Sequence, residues 1–231
     1  MADETNTPRT VWQDMVEGNA RFVAGEPRHP RQDVERRHEL AEGQRPRAAL
    51  FGCSDSRLAA EIIFDEGLGD LFVIRNAGQV ISNSVIGSLE YAVEVLEVPL
   101  IIVLGHDACG AVRAAIESTR TDAPALPPNI WRQIAPIVPA VRRVIRAGDG
   151  SLDVDPEVVG REHLKDTVAE LLHSSELISD AVAEGRLAIV GANYRLSEGT
   201  AVPSIIIGDA SAPSDAGAPR TADTATTAGA A

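Results

Sequence analysis

Two short segments bring together residue types that do chemistry. Cys53-Ser54-Asp55-Ser56-Arg57 offers a thiol, a carboxylate and a guanidinium at alternate positions. Leu104-Gly105-His106-Asp107-Ala108-Cys109-Gly110 adds an imidazole and the second of the chain's 2 cysteines. His106 and Cys109 are close enough in sequence to chelate one ion, and Cys53 can close the set. Two thiolates and one imidazole leave the fourth corner of a zinc tetrahedron open, which is how a catalytic zinc is held rather than a structural one. Asp55 and Arg57 face the same side of an extended segment. The guanidinium keeps such a carboxylate charged, and a charged carboxylate beside a metal can orient a water by accepting its hydrogen bond.

Both segments follow apolar runs that read as buried strands, at residues 48–52 and 100–104. The β-branched run Leu100-Ile101-Ile102-Val103-Leu104 has the character of a central parallel strand covered on both faces. Between and beyond these runs the periodicity predicts a short helix over 58–64, a strand over 70–75, a helix over 84–96 and another over 111–118. A proline-rich loop at 119–128 leads into a helical stretch at 130–147, interrupted near Pro136 and Pro139. Residues 162–183 read as one long amphipathic helix, 187–190 as a fourth strand, 194–200 as a turn and 201–207 as an antiparallel edge strand. The fold class is therefore α/β: four parallel strands plus an antiparallel edge strand, flanked by helices. Ligands bind such sheets at the carboxyl ends of the strands, where both chemical segments lie.

Ahead of the sheet come two helices. The first starts at Thr10, with Val11, Trp12, Met15, Val16 and Ala20 near one face and Gly25 able to close it. The second covers 32–41, with Gly43 past its end. They form a helical arm, 10–43, that could pack on this sheet or reach a second subunit. Residues 1–9 are expected to be disordered, 10–209 to form one domain, and 210–231 to be a disordered Ala/Thr-rich tail, since its only hydrophobic residues are alanines.

The chain has 231 residues, 44% hydrophobic and 24% charged, with a net charge of -13. The acidic balance argues against nucleic acid as a partner, because phosphate binding needs an excess of Lys and Arg. No apolar stretch approaches the ~20 residues of a membrane span. The polar start, Met1-Ala2-Asp3-Glu4, has no signal-peptide pattern. A cytoplasmic location is the expectation, where cysteines favour metal binding or catalysis over disulfides. His29, His38, His163 and His173 fall on expected loops or charged helices and read as surface residues.

These motifs resemble the β-class carbonic anhydrases. The resemblance rests on Cys53-Ser54-Asp55-Ser56-Arg57 with Gly105-His106-x-x-Cys109-Gly110, on Arg75-Asn76-Ala77-Gly78, and on Glu90-Tyr91-Ala92. It runs from about Val11 to Ile207. It implies one zinc ion per subunit held by Cys53, His106 and Cys109, and reversible hydration of carbon dioxide to bicarbonate and a proton by a zinc-bound hydroxide. Asp55 and Arg57 would be the catalytic dyad that orients the hydroxide. In some members the Asp leaves the Arg and becomes a fourth zinc ligand in a closed state, which Asp55 could do. Gln44, Phe72, Ala77, Tyr91 and Gly110 match substrate-binding positions, Tyr91 from the partner subunit. A homodimer or dimer of dimers with embracing N-terminal helices is implied. One bacterial subgroup has a regulatory bicarbonate site built on a Trp three residues before the first Cys; Leu50 stands there, while Tyr194 resembles another of its members. Two other functions use the same residues: hydrolysis of carbonyl sulfide or carbon disulfide on this scaffold, and metal binding or redox sensing without turnover.

Overall fold

A computed structural model describes residues 6–210. Strands β1 (Ala48–Cys53), β2 (Leu71–Asn76), β3 (Leu100–His106), β4 (Ala188–Arg195) and β5 (Thr200–Ile207) form one sheet in the order β2-β1-β3-β4-β5. The first four are mutually parallel and β5 is antiparallel to β4. Every residue of β1 and β3 is buried, as their unbroken apolar sequence requires. Side chains alternate between two cores. Leu50, Ile102 and Leu104 join Val11, Trp12, Met15, Val112 and Ile137 on one face. Phe51, Ile101 and Val103 join Leu89, Val93, Leu164 and Leu171 on the other. The chain leaves β2 and passes over β1 to reach β3, so the strand order reverses between β1 and β3. The crevice beyond their carboxyl ends is where an open α/β sheet binds its ligand.

The helices are α1 (Pro8–Ala24), α2 (Val34–Glu39), α3 (Ala60–Ile63), α4 (Asn83–Glu94), α5 (Gly110–Glu117), α6 (Pro128–Ile134), α7 (Val138–Ala147), α8 (Pro156–Ser174) and α9 (Glu176–Ala183). Helix α1 begins earlier than Thr10, because Thr7 caps it in a reciprocal box with Thr10 and Pro8 suits the first turn. The disordered reading of residues 6–9 is thereby corrected. Val11, Trp12 and Met15 are buried as expected, but Val16 is 45% exposed and Ala20 is exposed too. The apolar stripe of α1 is wider than the face that the described residues cover.

Residues 162–183 are two helices rather than one. Helix α8 starts at Pro156, and Ser175 breaks the run. Its hydroxyl accepts the Ile178 N–H and donates to Glu90, so it caps α9 instead of continuing α8. The expected turn at 194–200 starts later, since β4 pairs through Tyr194 with His106 and through Arg195 with Thr200. Ala210, assigned to the disordered tail, is buried; the rest of that tail, 211–231, lies outside the described residues. Among the described residues no helix is long and apolar enough to cross a membrane.

Helix α2 buries nothing, so the arm around it is held electrostatically. Asp65 accepts hydrogen bonds from the backbone of Arg28 and His29 and from the Arg21 guanidinium. Arg31 forks onto Asp70 and reaches Glu66 at 2.9 Å. Arg36 also faces Asp70, and Arg47 faces Glu66 while pairing with Asp14. Burial, then the charge of Asp70 and the proton the two acids share, push Glu66 from its ordinary 4.5 to about 7; Arg47 and Arg31 offset this only in part. An acid raised in this way stabilises the fold fully below its unfolded value. That contribution is lost as pH rises through the folded value. Glu66→Gln keeps a donor toward Asp70 without a titrating group. The variant should gain stability relative to wild type between pH 4.5 and about 7, by on the order of 3 kcal/mol at most, and level off above. Urea melts across that range check it; a difference independent of pH would contradict it.

Candidate metal centre

The site is set by where two strands stop and one helix begins. Cys53 is the last residue of β1 and His106 the last of β3, and the register Gly52↔Leu104 puts them side by side. A tight turn after His106 brings Cys109 to the start of α5. The ligand atoms of Cys53, His106 and Cys109 lie within 4.8 Å of one another, and all three residues are buried. Gly105 makes room beside His106 for the Asn193 side chain, because a Cβ there would stand 2.6 Å from the Asn193 amide oxygen.

The protonation pattern suits a cation. His106 Nδ1 is 2.7 Å from the Asp107 carbonyl and donates to it, so Nε2 carries the lone pair. That Nε2 is buried and has no hydrogen-bond partner. The hydrogen bond from Cys109 lowers the Cys53 thiol well below its ordinary value, against burial, and the Gly78 N–H helps. The same bond, with burial, pushes Cys109 up, although the N–H groups of Val112 and Ala111 at the start of α5 favour its thiolate. A positive ion replacing the shared proton would relieve this pair and satisfy Nε2 at once. The donor set fits zinc: soft sulfur and imidazole in a tetrahedral number with one position free.

Two arginines, Arg57 and Arg75, hold the loop that follows Cys53. Arg57 meets Asp55 with Nε at 2.9 Å and Nη2 at 2.7 Å, and its backbone N–H at 3.0 Å. This fork holds Asp55 far below the usual carboxylate range, despite partial burial. Asp55 Oδ1 is saturated, while Oδ2 keeps a lone pair for a further donor. Arg57 also touches the Ala108 carbonyl at 3.4 Å. Arg75 clamps the same loop from β2, donating to the carbonyls of Cys53 at 2.9 Å and Asp55 at 2.6 Å. The motif Arg75-Asn76-Ala77-Gly78 pointed to this residue but not to its role. Gly78, at φ 83°, donates its N–H to Cys53 Sγ at 3.3 Å.

The residues expected to bind substrate divide into two groups. Ala77 and Gly110 adjoin Gly78 and Cys109 at the Cys-His-Cys cluster. Phe72 lies opposite Ala49, whereas Cys53 lies opposite Asn76; four strand positions make that about 13 Å. Tyr91 packs on Phe72 with ring centroids 6.1 Å apart. Gln44 precedes β1 altogether and is exposed. One protomer therefore does not bring Gln44, Phe72 and Tyr91 to its own metal centre. Leu50 is part of the core. Tyr194 lines a cleft beside His106 with Asn193, Arg161 and Arg195.

His163 was expected on the surface; it is only 3% exposed. Its place four residues from Val159 and from Thr167, both buried on α8, is the signal that a helix begun at Glu162 concealed. His29, His38 and His173 are exposed as expected.

Comparison with known proteins agrees with this geometry. The carbonic anhydrase family model matches residues 48–201. "Carbonic anhydrase 2" of Mycobacterium tuberculosis is 50% identical over 196 residues, covering 84% of this chain and 92% of the relative. Among solved structures, the β-carbonic anhydrase CcaA superposes with a TM-score of 0.61 at 29% identity, covering 83% of this chain and 86% of that one. One of two tetrameric β-carbonic anhydrases from Sordaria macrospora gives 0.63 at 26% identity, with coverage of 80% and 90%. With the switch-point crevice and the Cys-His-Cys cluster in place, these matches show that the chain belongs to the carbonic anhydrase family, in its β class.

Proposed function

We propose that this chain catalyses the reversible hydration of carbon dioxide to bicarbonate and a proton at one zinc ion held by Cys53, His106 and Cys109. The observation that carries the reading is the convergence of the three ligand atoms, with His106 Nε2 buried and unsatisfied. When bound, zinc supplies Lewis acidity that brings the pKa of a water down toward neutrality.

Asp55 acts as a fixed acceptor. Arg57 holds it ionised and aims its free Oδ2 lone pair, so it orients a hydroxyl and does not itself take up the proton. Arg75 fixes the backbone that carries both Cys53 and Asp55. In this arrangement Asp55 is paired with Arg57, the open form of the site; release of that pair would let the carboxylate move toward the metal and close it. Ala77 and Gly110 offer small walls to an apolar molecule of three atoms.

The remaining pocket residues come from a second protomer. Exposed Val16, Tyr91 and Val95 supply an apolar face for that contact, and the Sordaria relatives are tetrameric. Phe72 and Tyr91 would wall the partner's pocket, and the Gln44 amide would donate to a substrate oxygen. A homodimer or dimer of dimers follows. Free thiols at the site suit the reducing cytoplasm.

Asp55→Asn should retain zinc and lose about 10²-fold or more in the hydration rate; stopped-flow measurement with metal analysis checks this. Activity within about threefold of wild type would remove Asp55 from the mechanism. The shared pocket is tested by mixing two variants, Cys53→Ala and the double variant Gln44→Ala/Tyr91→Ala. Mixed dimers contain one site with every residue native. Their activity should exceed the mean of the two parents after subunit exchange; no excess in verified mixed dimers would mean that each protomer completes its own site.

A further inference from the structure

The turn that donates to Cys53 is held with unusual completeness. Asn76 closes it, its side chain accepting the Val80 N–H at 2.8 Å and donating to the Val80 carbonyl at 2.7 Å. Two of the three carbonyls inside it are taken by a side chain from outside. Gln133 of α6 donates to Ala77 O at 2.9 Å. His163 of α8 bonds Gly78 O at 2.8 Å. Thr167, one turn further along α8, donates its one hydroxyl proton to His163 O at 2.9 Å and has Gln79 O 3.4 Å away. Gly78 itself has no freedom to be another residue. Its φ is 83°, and a Cβ would stand 2.8 Å from Ala111 Cβ and 3.0 Å from Ile137 Cδ1.

We propose that His163 is a positioning residue for the metal centre: it grips the Gly78 carbonyl so that the N–H of the same residue stays on Cys53 Sγ. The inference rests on the zinc reading above and extends it beyond the three ligands. A carbonyl only accepts, so His163 Nε2 must carry the proton. Its Nδ1 is then an acceptor, buried and without a partner. Burial also disfavours the charged ring. The imidazole is thus a neutral, single-tautomer donor, fixed by α8 and pointed at one peptide group.

The consequence lies in the sulfur. An N–H directed at a thiolate takes up part of its charge, which steadies the sulfur as a ligand and limits how strongly it neutralises the ion. Without His163 the Gly78 carbonyl is buried and unsatisfied, and the turn has reason to rotate toward water. The Gly78 N–H belongs to the preceding peptide plane, so it leaves Cys53 when the residue shifts as a whole and not by rotation of the carbonyl alone. Outer partners of this kind are typically worth about 10–100-fold in metal affinity.

The test uses full-length protein. In cadmium-113-substituted wild type, the Gly78 amide proton should show scalar coupling to the metal through the N–H···Sγ bond. His163→Leu fills the volume without a donor; His163→Gln keeps one. The Leu variant should lose the coupling and bind zinc about 10–100-fold more weakly by chelator competition. The Gln variant should keep the coupling and stay close to wild type. A Leu variant that melts lower but retains both coupling and zinc affinity would reduce His163 to a packing role and overturn the proposal. Absence of the coupling in metal-loaded wild type would overturn it without any variant, while wild type that takes up no zinc would instead sink the zinc reading.

Discussion

Parallel pairing of β1 with β3 governs everything at the site. The register Phe51↔Val103 and Gly52↔Leu104 ends the two strands together and leaves Cys53 and His106 at neighbouring tips. Side chains alternate along a strand, so a slip of one residue would turn the apolar set of β1 to the opposite face and displace Cys53 from His106. The register is held by that apolar set, Leu50 and Ile102 on one face and Phe51 and Val103 on the other, all buried. Packing in the middle of the sheet is thereby converted into ligand placement at its edge.

Charge at that edge is managed locally. The chain carries a net charge of -13, yet Asp55 is surrounded by Arg57 and Arg75, which between them engage its carboxylate and the carbonyls of Cys53 and Asp55. The result is a backbone loop with few ways to move. The second layer continues inward through Gly78 to α6 and α8, elements far away in sequence. A similar division of labour holds at the other end of the sheet, where Arg31, Arg36 and Arg47 secure the arm against Asp70 and Glu66.

Much of this was legible in the amino-acid sequence. Strong apolar runs gave the strands and their order of burial, because a strand covered on both faces has no alternation to confuse. The Cys53-His106-Cys109 cluster and the Asp55-Arg57 pair were legible because they sit within a few residues of strand ends. Elements decided by a single hydrogen bond were not: Ser175 divides α8 from α9 through its own hydroxyl, and Thr7 starts α1 ahead of the apolar pattern. His163 escaped because its function depends on what α8 packs against, and that is set by the tertiary fold. Gln44, Phe72 and Tyr91 matched pocket positions in sequence but lie far from the Cys-His-Cys cluster of their own chain, so a pocket role for them rests on the proposed assembly.

X-ray absorption on the purified, metal-analysed protein addresses the centre most directly. One zinc per chain is expected, with two sulfur scatterers at about 2.3 Å, one imidazole nitrogen at about 2.0–2.1 Å and one light atom in the open position. Loss of either cysteine should remove a sulfur. Full hydration activity in protein free of metal, or zinc surrounded by anything other than two sulfurs and one imidazole, would contradict the assignment of Cys53, His106 and Cys109.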